Sequence, residues 1–117
     1  MLIAVAFGET GAPKLARRLE RFDRVLASNL LEAELRSAFA RERVEPAGEL
    51  FEWMQWVLPE RPLTAELERV FSAGYVRGAD AWHLACALYI TGDPRELVFL
   101  TLDDRQRAAA RRLGFPG

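Results

Sequence analysis

Two adjacent acidic residues stand where an apolar stretch gives way to a basic one. In LVFLTLDDRQRAAARR (97–112), Asp103 and Asp104 lie between a run typical of a buried strand and a predicted helix start. One interpretation is structural, because aspartate is a favoured helix N-cap. The other is functional, because ligands of open α/β sheets bind beyond the carboxyl ends of the strands. Asp104 could cap the helix alone, which favours a separate role for Asp103.

A second candidate acid, Glu34, lies within an amphipathic helical pattern. In NLLEAELRSAFARER the spacing predicts one apolar stripe, formed by Leu31, Leu35, Ala38 and Phe39. Glu34 borders or enters this stripe, whereas Glu32 can pair with Arg36 on the solvent side. A carboxylate near the core needs a cation or several hydrogen-bond donors. Glu34 is therefore either a rim residue paired with an arginine or a ligand of a cation.

A third acid, Asp80, precedes the apolar run AWHLACALYI, where it fits a plain N-cap or a site residue. The three acids come from a helix, a helix start and a strand end, which can converge at one edge of a sheet. Carboxylate oxygens suit Mg²⁺ or Mn²⁺, and a divalent ion offsets the repulsion between clustered acids. Such an ion activates water for in-line displacement at a phosphodiester. If Glu34, Asp80 and Asp103 converge, they predict nuclease chemistry.

Strand-like and helix-like stretches alternate along the chain. The predicted strands are 24–28 and 97–101, and the predicted helices are 13–22, 29–43, 46–58, 64–73, 80–91 and 104–113. Gly74 and Gly114 follow two of these helices as expected left-handed caps. The first run, LIAVAF (2–7), fits either a strand or a helix. The alternation predicts an α/β layer fold with a small parallel sheet.

Length and composition predict one ordinary globular domain over residues 1–117, with a formal net charge of -1 that gives no overall basic field. The single cysteine, Cys86, excludes an internal disulfide and a cysteine-built zinc site, and its apolar neighbours predict a buried thiol. The N-terminus lacks the basic region of a signal peptide, and no stretch reaches the roughly 20 apolar residues of a membrane span. We therefore expect a cytoplasmic protein.

Other residues admit a structural and a functional interpretation. The only histidine, His83, follows Asp80 by three residues on an apolar helix, which favours a core residue over a catalyst. Trp53 and Trp56 lie three apart within the predicted helix 46–58. Core packing is the simpler interpretation for them, and a partner-binding surface is the alternative because tryptophan is enriched at interface anchors.

Arginines make the last predicted helix basic: Arg105, Arg107, Arg111 and Arg112. Such a run is usually a solvated face. Beside a site that cleaves phosphodiesters, some of these side chains, and Arg77 just before Asp80, could instead contact RNA phosphates.

The sequence resembles the PIN-domain ribonucleases, in particular the VapC-type toxins of toxin–antitoxin pairs. The motifs that carry the likeness are VLASNLLEAELRSAFAR, GADAWHLACAL and VFLTLDDRQRAAARRLGF, and they cover nearly the whole chain. The resemblance implies a three-layer fold with helices on both faces of a small parallel sheet. It implies that Glu34, Asp80 and Asp103 are catalytic, metal-binding acids for Mg²⁺ or Mn²⁺, with Thr101 as a supporting hydroxyl. It also implies an RNA substrate (tRNA or ribosomal RNA), a cognate antitoxin and a homodimer.

One element of the resembled family has no counterpart in this sequence. Family members usually begin with a short strand that ends in a metal-binding Asp, whereas MLIAVAFGETG looks like the segment that follows it. On this interpretation LIAVAF is helical, the central first strand is absent, and Met1 is an internal methionine of a longer natural product. A chain that truly began at Met1 would be less stable and have weak or no nuclease activity, with Glu9 a poor substitute acid. The alternative function is a degenerate, non-catalytic PIN-like module that binds RNA or protein.

Overall fold

Four parallel strands form the sheet in the part of the chain that the structure describes. The computed structural model describes residues 2–5, 24–43, 45, 51, 52 and 54–116, with the first four described by backbone alone. The strands are β1 (Leu2–Val5), β2 (Arg24–Ser28), β3 (Gln55–Val57) and β4 (Leu97–Leu100). They lie in the order β3-β2-β1-β4, and every neighbouring pair is parallel.

The described part of the chain also contains helices that lie between or after the strands. These are α1 (Asn29–Glu42), α2 (Thr64–Ala73), α3 (Gly78–Ile90) and α4 (Asp104–Leu113), with a short 3-10 turn at Pro94–Glu96. Each agrees within about two residues with a predicted helix. The predicted helix 13–22 lies outside the described residues.

The first strand corrects an expectation. Leu2–Val5 is not helical, because it forms β1 at the centre of the sheet, where Val5 pairs with both Ala27 and Leu100. The prediction that this chain lacks the first strand is therefore wrong. A short apolar run has the same pattern in a buried parallel strand and in a buried helix, so the choice depended on the resemblance alone.

The predicted helix 46–58 is also wrong at its C-terminal end. Gln55–Val57 is the edge strand β3, which pairs with the end of β2. Trp56 is partly buried and stacks on Phe51 with ring centroids 6.4 Å apart, which agrees with core packing. Trp53 lies outside the described residues.

Side chains of alternate strand residues fill two cores, one on each face of the sheet. Leu26 and Phe99 pack with residues of α2, α3 and α4, whereas Val25, Ala27 and Leu100 pack against α1. This arrangement confirms the predicted α/β fold with a small parallel sheet flanked by helices. In the described part of the chain, no helix is long and apolar enough to cross a membrane.

The structure confirms one of the two predicted glycine caps and the predicted burial of Cys86. Gly114 adopts the expected left-handed conformation after α4 (φ 103°). Gly74, after α2, instead has φ 154° and ψ 167°, and a Cβ there would lie 2.6 Å from Nη1 of Arg112, which donates to the Ala73 carbonyl. Cys86 is buried as predicted, and burial raises the pKa of its thiol to about 12.

The parallel topology places two polar residues at one edge of the sheet. Since Val5 pairs with Ala27 and Leu100, the next residues of the two neighbouring strands, Ser28 and Thr101, flank the carboxyl end of β1. Both side chains are buried. Ligands of open α/β sheets bind at this edge, so the candidate site should be there.

Candidate active site

Asp80 lies in the first turn of α3 and is not its cap. The helix begins at Gly78 with Arg77 as N-cap, so the interpretation of Asp80 as a plain cap is wrong. The residue is 8% exposed, and its Oδ2 lies 3.6 Å from Nε of Arg77. Burial raises the pKa of Asp80, Arg77 opposes this, and the charges of Asp103 and Glu34 raise the pKa further.

Asp103 is the N-cap of α4, so the alternative in which Asp104 caps the helix alone is wrong. Its Oδ1 accepts a hydrogen bond from the backbone N–H of Gln106 at 2.9 Å. Asp104 is the first helical residue, with a side chain 94% exposed and paired with Arg107. The cap occupies one carboxylate oxygen of Asp103, which leaves the second oxygen able to bind a cation.

A buried polar link joins the two aspartates. Gln106 is 1% exposed, and its Nε2 donates to the backbone carbonyl of Asp80 at 3.3 Å. Its Oε1 accepts from the hydroxyl of Thr101 at 2.7 Å, and that hydroxyl accepts from the Asp103 N–H at 3.0 Å. The backbones that carry Asp80 and Asp103 are therefore fixed relative to one another.

Gln106 was not among the predicted site residues, although the sequence contains a signal for it. Asp103 and Gln106 are spaced as in a capping box, in which a Glu or Gln stands three residues after the cap. In such a box the Gln side chain normally returns to the N–H of the capping residue. Here the Asp103 N–H binds Thr101 instead, so the Gln106 side chain is available for its two long-range contacts.

Glu34 projects from α1 and pairs with a histidine. The prediction of a rim residue paired with an arginine therefore has the wrong partner. Its Oε1 accepts from Nε2 of His83 at 2.5 Å, and its side chain is 26% exposed. The other imidazole nitrogen, Nδ1, lies 2.6 Å from Oγ of Ser28. As predicted, Glu32 pairs with Arg36 on the solvent side, at 2.8 Å.

The two aspartates line one cleft of about 340 Å³. Its walls are formed by Tyr75, Val76, Arg77, Asp80, Asp103 and Arg105. Glu34 is not part of this lining, although its charge acts on Asp80. Within the described residues, no three acidic, histidine or cysteine side chains already lie at metal-ligand separation. The structure thus brings Asp80 and Asp103 together and places Glu34 within electrostatic reach.

The basic residues divide between the cleft and internal contacts. Arg77 and Arg105 line the cleft beside the aspartates. Arg107 binds Asp104 and donates to the Thr101 carbonyl, and Arg112 donates to the Ala73 carbonyl. Arg77 and Arg105 therefore face a ligand of the cleft, and Arg77 already pairs with Asp80 there.

Comparison with known proteins gives one match. The PIN domain family profile matches residues 1–112 of the 117-residue chain, whereas no curated protein and no solved structure matches it significantly. PIN domains are generally nucleases that act on nucleic acids and use divalent metal ions. Because the match spans nearly the whole chain, this protein belongs to the PIN domain family.

Proposed function

We propose that this chain is a metal-dependent endoribonuclease that hydrolyses RNA phosphodiester bonds. The observation that carries the proposal is the cleft in which Asp80 and Asp103 stand beside Arg77 and Arg105. Acids and arginines at the carboxyl edge of a parallel sheet suit an anionic substrate that must approach a cation. Membership of a family of nucleases supports the same reaction class.

The donor set fits a hard divalent cation. Asp80 and Asp103 offer carboxylate oxygens in the cleft, which are the ligands that Mg²⁺ and Mn²⁺ prefer, and Glu34, outside the lining, is the proposed third ligand. Burial and the two neighbouring acids make the ionised form of Asp80 unfavourable, and a bound cation reverses that penalty. When bound, the ion would lower the pKa of a coordinated water and stabilise the oxygens of an in-line displacement.

Residues of the cleft would bind and orient the RNA strand. The guanidinium groups of Arg77 and Arg105 are suited to contact phosphate oxygens, which positions the backbone without reading its sequence. The link through Gln106 and Thr101 would hold the two aspartates at a constant separation while substrate binds. A rigid ligand pair of this kind lowers the cost of reaching the reactive geometry.

The finer assignment is the toxin of a VapBC-type toxin–antitoxin pair in the cytoplasm. It derives from the motifs around Glu34, Asp80 and Asp103 and brings with it a structured RNA target (tRNA or ribosomal RNA), a cognate antitoxin and a homodimer. A small antitoxin-like reading frame beside the gene, whose product co-purifies with this chain and inhibits it, is the expected result. A gene with no such neighbour contradicts the toxin assignment and leaves the nuclease proposal intact.

RNA cleavage with matched variants tests the proposed activity. We expect fluorescently labelled structured RNA to be cut by the wild type with Mn²⁺ or Mg²⁺ and to remain intact with EDTA. Asp80→Asn should reduce cleavage by at least about 100-fold, a size typical of lost electrostatic stabilisation. Asp104→Asn is the control, because Asp104 is exposed and its side chain pairs with Arg107. Equal activity of wild type and Asp80→Asn contradicts the proposal.

A non-catalytic PIN-like module that binds RNA or protein is the second candidate. Two observations favour it: β1 (Leu2–Val5) contains no acidic residue, and the described residues hold no ready-made group of three metal ligands. This candidate predicts RNA or protein binding that is independent of Mn²⁺ and unchanged by Asp80→Asn. Gel-shift measurements with and without Mn²⁺, run beside the cleavage assay, separate the two functions.

A further inference from the structure

A chain of three polar side chains connects the sheet to Glu34. Ser28 ends β2, His83 lies in the middle of α3, and Glu34 lies on α1. The two nitrogens of the imidazole make both links, 2.6 Å to Oγ of Ser28 and 2.5 Å to Oε1 of Glu34. The His83 side chain has no exposed surface, so a single buried ring joins three separate elements.

Ser28 contacts His83 and does not make the capping hydrogen bond that its position would allow. It stands at the N-cap position of α1, where a serine hydroxyl normally accepts a backbone N–H and stabilises the helix. In this structure the side chain makes no capping hydrogen bond, and its hydroxyl lies against Nδ1 of His83 instead. The geometry therefore assigns the hydroxyl to the orientation of the imidazole ring.

The order of the three groups resembles a nucleophilic triad, but their burial excludes that chemistry. Ser28 is 4% exposed, so its oxygen is not accessible to a substrate. Among these three side chains, the accessible group is the carboxylate of Glu34, with 26% of its side chain exposed. The three residues consequently act on the position of the carboxylate, and they do not activate the serine.

We propose that His83 is a positioning residue for the metal site. Its Nε2 contacts Oε1 of Glu34 and its Nδ1 contacts Ser28, so Ser28 would fix the ring, the ring would hold Oε1, and Oε2 would be available to a cation. The inference rests on the proposed function, because it gives Glu34 a role as ligand. Carboxylates that bind metals are commonly held by a second hydrogen bond of this kind, and its loss typically lowers metal affinity by about 10–100-fold.

Mn²⁺ affinity of His83 variants, measured by isothermal titration calorimetry, tests the inference. His83→Leu should raise the Kd for Mn²⁺ by about 10–100-fold. His83→Gln should restore most of the affinity, because its amide nitrogen can donate near the position of imidazole Nε2. His83→Asn, whose shorter amide corresponds to Nδ1, should not. A residue that merely fills space would give no such difference between Gln and Asn.

Two further measurements keep the test independent of folding. Cys86→Ala changes a buried side chain on the same helix and should lower the melting temperature without a change in Mn²⁺ affinity. His83→Leu added to Glu34→Gln should weaken Mn²⁺ binding no further than Glu34→Gln alone, because the histidine acts through that carboxylate. Additive losses overturn the inference.

Mn²⁺ binding and RNA cleavage by the wild-type protein distinguish a failure of this inference from a failure of the proposed function. Wild-type protein that neither binds Mn²⁺ nor cuts RNA overturns the proposed function. Wild-type protein that does both, with His83→Leu, His83→Gln and His83→Asn all equal to it, overturns only the positioning role. Because His83 is the only histidine in the chain, ¹⁵N-histidine NMR gives an independent signature. Its Nε2–H signal should shift on addition of Mg²⁺, and a signal that ignores saturating Mg²⁺ contradicts the role.

Discussion

Replacement of Asp80 by asparagine should stabilise the metal-free protein and abolish stabilisation by metal. The pKa of Asp80 is raised by burial and by the charges of Asp103 and Glu34, so the ionised carboxylate is less favourable in the folded protein than in the unfolded chain. By linkage, this charge lowers the free energy of unfolding at neutral pH, and the cost disappears as the pH falls through the folded-state pKa. Asparagine removes the cost and keeps the size of the side chain.

The expected magnitudes follow from burial and from binding linkage. Single stabilising substitutions commonly add about 0.5–2 kcal/mol, and we expect the low end because Arg77 offsets part of the cost. For a domain of this size, about 1 kcal/mol raises the melting temperature by roughly 3–6 °C. Mn²⁺ at 100 times its Kd should add about 2.7 kcal/mol to the wild type and nothing to Asp80→Asn.

Thermal unfolding followed by circular dichroism, with EDTA or with Mn²⁺, measures both effects. With EDTA at pH 7 the variant should melt a few degrees above the wild type, and the difference should shrink as the pH falls through the raised pKa of Asp80. With Mn²⁺ the order should reverse. A variant that is less stable than the wild type in EDTA, or that gains equally from Mn²⁺, would refute the reasoning.

The remaining predictions concern the neighbours of Asp80. Asp103→Asn should keep the helix cap but lose stabilisation by Mn²⁺. Asp103→Ala should in addition lose about 1 kcal/mol of stability in EDTA, so equal melting temperatures of the two variants in EDTA contradict this prediction. Gln106→Leu should cost about 1–3 kcal/mol in urea unfolding, because the Asp80 carbonyl and Thr101 hydroxyl lose their partner; a neutral result means the link is unimportant. Arg105→Ala should weaken RNA binding and reduce its salt slope by roughly 1, with unchanged Mn²⁺ affinity as the control reading.

Local patterns in the sequence were sufficient for most of the long elements. The helices at 64–73 and 104–113 were predicted at the residues where they occur, because amphipathic spacing and terminal glycines are local signals. The strand RVLAS (24–28) was found because polar residues bound its short apolar run.

The misses occur where the outcome depends on distant contacts. Leu2–Val5 becomes a strand because β2 and β4 flank it, and Gln55–Val57 becomes one because it pairs with the end of β2. Neither pairing is encoded in the run itself, so periodicity favoured a helix in the second case and left the first open.

The candidate acids were identified from sequence, but their partners were not. Asp103 and Asp104 have nearly equal capping propensity, so only the structure distinguishes which one caps α4. The pairing of Glu34 with His83 joins residues 49 positions apart, which no local pattern predicts. Sequence could name the acids, whereas the buried links that hold them required the fold.

Calorimetric titration of Mn²⁺ into the wild type, Asp80→Asn and Asp103→Asn tests most directly whether the two aspartates share one cation. We expect one ion per wild-type chain and no measurable binding to either variant, with Asp104→Asn equal to the wild type. Binding that survives both substitutions, or a wild-type chain that takes up no Mn²⁺, contradicts the shared site and with it the nuclease account.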